Sequence, residues 1–157
     1  MKGNPEVIKY LQEVLTAELT AINQYFLHAE MQANWGYNKL SAKTKKESIE
    51  EMHHAHELIE RILYLDGSPT MDKLFPLRIG QNVKEQYEND LNLEYEAVNR
   101  LNKAINAAVA AADNGSRDLF EKILTDEEHH IDFLEAQLHM IKEMGYENYL
   151  VTLTEVQ

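Results

Sequence analysis

The sequence predicts an all-α chain folded as a four-helix bundle with one long crossover between helices two and three and a short C-terminal fifth helix. Three observations predict it. Apolar residues, 44% of the chain, recur at intervals of three and four rather than in alternation. Glycine and proline are scarce, six and three in 157 residues, and cluster between the periodic stretches. Those stretches form two closely spaced pairs with one aperiodic segment between them, and the length suits a single domain over 1–157 with one hydrophobic core.

The first helix has a clear start. Asn4 can cap it, Pro5 fits the first helical position and Glu6 favours the positive end of the dipole. Its pattern runs to about Asn34 and breaks at Gly36. Periodicity resumes near Lys39 and lasts to about Leu65, so the second helix pairs antiparallel with the first across a short turn. Residues 66–81 contain Gly67, Pro69, Pro76 and Gly80 with little helical period, which makes them the crossover. The third helix opens at Asn82, with Glu85 three residues on in a capping-box pattern, and stops at Asn114-Gly115. Ser116 can cap the fourth, which ends at Gly145, and the tail leaves room only for a short fifth helix. Two tight hairpins joined by one crossover describe the ferritin-like kind of bundle.

Composition narrows the function. A net charge of −12 disfavours nucleic acid, which needs clustered Lys and Arg, and suits cations as guests. With no cysteine, disulfides, thiolate metal sites and thiol catalysis are excluded. The N-terminus lacks the apolar segment of a signal peptide and no apolar run approaches membrane-spanning length, so a cytoplasmic protein off the membrane is expected.

Each core stripe then holds one residue that does not belong: Glu18 beside Leu11, Leu15 and Ile22; Glu51 beside Ala55, Leu58 and Ile62; Glu94 beside Leu91, Val98 and Leu101; Glu127 beside Ile123, Ile131 and Leu134. The doubled letters in EEMHH and DEEHH allow two registers. Glu50 with His53 continues to Glu57, Glu60 and Arg61, a solvated face, whereas Glu51 with His54 continues to Leu58 and Ile62. Likewise Glu127 pairs inward with His130, because the stripe of Asp126 and His129 runs through Lys122 and Gln137. The inward set is Glu18, Glu51, His54, Glu94, Glu127 and His130. Glu18 to Glu51 and Glu94 to Glu127 both span 33 residues, and the first half recurs 76 residues later. Four carboxylates in an apolar bundle need positive charge, and no core stripe carries Lys or Arg. One Glu from each of two helices plus Glu-x-x-His from each of the other two is the di-iron or di-manganese carboxylate pattern. Oxygen ligands with one imidazole per metal suit iron or manganese. His53, His56, His129 and His139 read as surface or supporting residues, and Tyr25 as a packed core tyrosine with a hydrogen bond.

Met52 lies roughly 160° from His54 around its helix at ~100° per residue, so it points away from this set. Ile49, Ile59 and Leu63 share its face, and Leu19, Ile22 and Phe26 form a second apolar strip on the first helix. Such faces suggest a two-fold subunit interface, where a methionine packs.

From MKGNPEVI through LTAELTAINQYFLHAEM and ESIEEMHHAH to DEEHHIDFLEAQL and GYENYL, nearly the full chain resembles the bacterioferritins. The resemblance implies a cage of 24 subunits that stores ferric mineral, a ferroxidase centre of two iron ions on Glu18, Glu51, His54, Glu94, Glu127 and His130, and haem b shared at each two-fold interface by Met52. It also implies Fe(II) and dioxygen or hydrogen peroxide as substrates, and a small ferredoxin as electron donor for iron release. An inner-surface His and Asp of some members fall here on Lys46 and Glu50. Family channel positions resemble Asn34, Asp66 and Asp132, while a channel position that is acidic in the family is His139. Absence of cysteine separates the chain from rubrerythrin. The rival reading is a soluble di-metal enzyme acting on an external substrate such as peroxide. A structural bundle with protonated carboxylates would bind no metal.

Overall fold

The computed structural model describes residues 1–154. Among these, five helices are α1 (Pro5–Asn34), α2 (Asn38–Tyr64), α3 (Val83–Ala110), α4 (Asn114–Met144) and α5 (Tyr146–Val151). Asn4 caps α1 by accepting from the backbone N–H groups of Glu6 and Val7, and Gly36 turns the chain at φ +92°. α1 packs chiefly on α2 and α3 on α4, with further contacts of α1 on α3 and of α2 on α4. α2 and α3 therefore stand diagonally across the bundle, and the crossover spans that diagonal.

The third and fourth helices meet differently from the expectation. α3 stops at Ala110, and Ala112 takes the left-handed φ of 53°. Asn114 and Gly115 are already helical, and Asp113 rather than Ser116 caps α4. Asp113 Oδ1 accepts from the Ser116 N–H at 3.0 Å and from Arg61 Nη2 at 2.7 Å, so a charge from α2 fixes the cap. Gly115 serves packing: a Cβ there would lie 2.6 Å from the Arg61 guanidinium.

Two apolar clusters fill the bundle. One gathers Val7, Leu11, Leu15, Leu58, Leu101, Phe120 and their neighbours; the other gathers Leu40, Val83, Tyr87, Leu134, Ile141 and Tyr149. On α1 the first cluster's buried residues precede Glu18, and on α4 the second cluster's follow Glu127. The glutamate layer lies between the two apolar ends.

The crossover is held by side chains along one face of α1, spaced by eight, four and four residues. Gln12 pairs with the Thr70 N–H and C=O, Thr20 accepts from the Phe75 N–H, Gln24 from the Arg78 N–H and His28 from the Gly80 N–H. A chain without regular structure leaves its backbone groups unpaired, and this row of acceptors answers them. His28 is fully buried; its Nδ1 lies 2.9 Å from Asp90 Oδ1, which also accepts from Gln24 at 2.8 Å.

Replacing His28 with leucine strands the Gly80 N–H and removes one partner of Asp90. His28→Leu is expected to destabilise the protein by about 1–3 kcal/mol and to speed proteolysis within 66–81 while helical circular dichroism persists. Unchanged cleavage there would show that the row does not hold the crossover.

Candidate metal centre

Helical spacing brings the six inward residues together. Glu18 comes from α1, Glu51 and His54 from consecutive turns of α2, Glu94 from α3, and Glu127 and His130 from consecutive turns of α4, all at most 5% exposed. Their atoms form two groups that share Glu51 and Glu127. His54 Nδ1 faces Glu18 Oε2 at 3.5 Å, Glu51 Oε2 at 3.7 Å and Glu127 Oε1 at 3.3 Å. His130 Nδ1 faces Glu51 Oε1 at 3.3 Å, Glu94 Oε1 at 3.5 Å and Glu127 Oε2 at 3.4 Å. Each shared carboxylate turns one oxygen to each histidine. In both groups one ligand atom per residue lies within 4.8 Å of all the others.

The donor set fits a pair of hard divalent cations. Glu18 Oε2, Glu51 Oε1, His54 Nδ1, Glu94 Oε2, Glu127 Oε1 and His130 Nδ1 are buried without a hydrogen bond, so every residue of the set offers an orphaned atom to the same interior. Burial without a partner is costly for such groups, and cations supply the partner.

The outer nitrogens are occupied. His54 Nε2 lies 2.7 Å from Asp126 Oδ2, and His130 Nε2 contacts Glu47 and, at 3.3 Å, Glu50. A carboxylate accepts, so the Nε2–H donates and Nδ1 is left as the metal-facing atom; such outer contacts fix tautomer and ring angle in metal sites. Stripe reasoning put Glu50 and Asp126 on the solvated side, yet both are half-buried and reach the opposite helix. Glu47 was not singled out at all, although it sits one turn before Glu51 on the same helix. The Tyr25 hydroxyl donates to Glu94 Oε1, and its ring meets His130 edge-on with centroids 6.4 Å apart.

Without a cation, protons take its place. Burial on its own would lower the His54 pKa, but the carboxylates of Glu127 and Glu51 more than reverse this and push it from 6.5 up to about 11. His130 is raised against burial in the same way by Glu127, Glu47 and Glu94. Burial raises Glu94, with the Glu127 charge adding to it, and burial also raises Glu51.

The remaining sequence-predicted residues lie elsewhere. Met52 is 54% exposed, and Ile49, Leu63 and Phe26 are exposed with it, while Leu19, Ile22 and Ile59 pack partly on the core. His53, His56, His129 and His139 are exposed, as are Asn34, Lys46, Asp66 and Asp132.

Known proteins resemble the chain throughout. A ferritin-like domain model matches residues 8–144. The bacterioferritin of Mycolicibacterium paratuberculosis is 52% identical over 149 residues, 95% of this chain and 94% of that protein. That of Streptomyces coelicolor is 52% identical over 155 residues, 99% and 93% of the two chains. Among solved structures, the bacterioferritin BfrA of Mycobacterium tuberculosis superposes with a TM-score of 0.97 at 49% identity, covering 99% of this chain and 98% of the other. The Rhodobacter capsulatus bacterioferritin, described with a metal-free dinuclear site and its haem iron in a crystallographic special position, gives a TM-score of 0.98 at 41% identity, covering 100% and 98%.

A proton on His54 with a folded pKa of about 11 against 6.5 stabilises the metal-free protein fully below pH 6.5, and that contribution is lost as pH rises through about 11. The thermal midpoint of metal-free protein is expected to fall over this window. Anaerobic Co(II) near neutral pH should release protons to an indicator dye, because a bound imidazole must be neutral. Co(II) binding without proton release would contradict the protonated centre.

Proposed function

The chain belongs to the bacterioferritin family of ferritin-like proteins, and on that premise we propose that it stores iron, oxidising Fe(II) at a dinuclear centre within each subunit and laying down the ferric product inside a cage of 24 copies. One observation carries the reading. Glu51 and Glu127 each split their two oxygens between His54 and His130, which suits two cations side by side rather than one. Residues 1–157 then act as one domain, in the cytoplasm.

Fe(II) is the substrate. Glu51 and Glu127 bridge the two ions, Glu18 and Glu94 are the terminal carboxylates, and His54 and His130 each complete one ion. Each Fe(II) gives up one electron, and the pair passes to dioxygen or hydrogen peroxide. Four carboxylates favour the higher charge of the ferric product, and the outer bonds to Asp126, Glu47 and Glu50 hold both rings in place as it forms. The protein supplies geometry and charge, and iron carries the redox change.

Haem b is the second cofactor of this reading, and the residues fit it. Met52 is about half exposed, as are the apolar side chains of Ile49 and Leu63 on the same helix and of Phe26 on α1, so apolar surface is left open on both helices. Met52 would hold the haem through its thioether, together with the same residue of a second copy across a two-fold axis. Bound there, haem supplies a one-electron carrier for reducing stored iron, with a small ferredoxin as the donor.

Two measurements test the reading. Excess Fe(II) added in air, followed by size exclusion, should leave iron far above the ~2 per chain that a bundle site holds, and Glu94→Ala should lose the rapid phase of oxidation; saturation near two per chain would instead indicate a di-metal enzyme such as a peroxide-consuming one. Met52→Leu should lose the Soret band of haem-reconstituted protein while Fe(II) oxidation continues, and a retained band would put the ligand elsewhere.

A further inference from the structure

A cavity of about 20 Å³ adjoins the metal centre on its His130 side, bounded in part by Tyr25, Thr44, Glu47, Tyr87, Asp90 and His130. This is room for about one water-sized molecule. Lys43 and Phe133 line the cavity, and of its lining residues these two also border a wider groove of about 370 Å³ between α2, α4 and the segment after α5. Lys43 Nζ lies 4.5 Å from the centre of the Phe133 ring and 2.7 Å from Glu47 Oε1, and its side chain is 45% exposed. Glu47 continues the contact to His130. Between the two spaces a half-exposed cationic side chain thus lies over an aromatic ring.

We propose that the Lys43–Phe133 pair is the neck through which a small uncharged oxidant reaches the dinuclear centre, with the cavity behind it as the holding place beside His130. The inference rests on the ferroxidase reading above. Size restricts the guest to one or two heavy atoms. Charge restricts it further, because an ammonium at the neck repels a divalent cation. Carboxylates flank both rings, Glu50 and Asp126 beside His54 and Glu47 and Glu50 beside His130, so it is the ammonium of Lys43 on the groove side of Glu47 that sets the neck apart. Dioxygen and hydrogen peroxide both satisfy the neck. With peroxide, two electrons from two Fe(II) and two protons break the O–O bond and yield two waters. With dioxygen, two electrons and two protons yield hydrogen peroxide.

The test uses the full chain. Thr44→Ile fills the cavity and Phe133→Trp crowds the neck, while Thr44→Val removes the hydroxyl at nearly constant shape. Each protein is loaded anaerobically with Fe(II) and mixed with dioxygen or peroxide at several concentrations. Thr44→Ile and Phe133→Trp should lower the rate constant that is first order in oxidant by roughly tenfold, the scale of overpacking by a methyl group or two, and Thr44→Val should not. Anaerobic Co(II) binding, read by its visible absorption, should keep wild-type rate and stoichiometry in all three. Slowing with only one oxidant identifies the one that uses the neck. Unchanged oxidation in both crowding variants, or Co(II) binding slowed in step with oxidation, would overturn the route. A wild-type protein that does not oxidise Fe(II) at all would instead defeat the ferroxidase reading, and the route with it.

Discussion

Four carboxylates converge in the middle of an apolar bundle, and the rest of the structure answers that charge. Uncompensated, each would cost several kcal/mol. Within the subunit the cationic groups that reach them are the rings of His54 and His130, held protonated against the pull of burial. Burial also raises the carboxyl groups of Glu94 and Glu51. The metal-free centre therefore holds protons where its geometry suits cations, and exchanging one for the other couples metal binding to pH. A bundle suits this arrangement because four long helices hold ligands from all sides, with an apolar cluster toward each end of the ligand layer.

A second layer gives the first its precision. Asp126 and Glu47 occupy the outer nitrogens of the two histidines, and Lys43 holds Glu47 from the groove. The two halves are not equivalent here: His54 leans on one half-exposed carboxylate, whereas His130 leans on Glu47 and Glu50 and borders a cavity. Farther out, the polar row Gln12, Thr20, Gln24 and His28 binds the crossover to α1. That crossover lets the diagonal helices α2 and α3 bring Glu51 and Glu94 to the same interior. Stability of the loop and geometry of the site are linked through α1, which carries both the row and Glu18.

Much of this was legible in the residues because helical periodicity and the 33- and 76-residue spacings act along single helices. The choice of Glu51 and His54 over Glu50 and His53 needed only the stripe on which each pair lies, and it agrees with the burial of Glu51 and His54 and the exposure of His53. What the residues hid depends on neighbours across the bundle. Asp126 and Glu50 looked solvated because their own helix face is polar, but half-buried side chains on the flank of a stripe reach the adjoining helix. The turn after α3 went astray for the same reason: Gly115 resembles a helix stop, while the true cap is Asp113, fixed by Arg61 from α2. The row from Gln12 to His28 lies at multiples of four residues, yet polar residues at that spacing read as a wet face until a loop is seen to cover them. The proposed haem site and cage would depend on a second copy of the chain, so Met52 alone indicates only an apolar outward face.

The central claim is that Glu51 and Glu127 are shared between two cations. Its most direct test is the anomalous scattering of crystals soaked anaerobically in Co(II) or Fe(II). Two peaks per subunit are expected between the shared carboxylates, one beside Glu18 and His54 and the other beside Glu94 and His130. A single peak there, or metal found only outside the six residues, would contradict it.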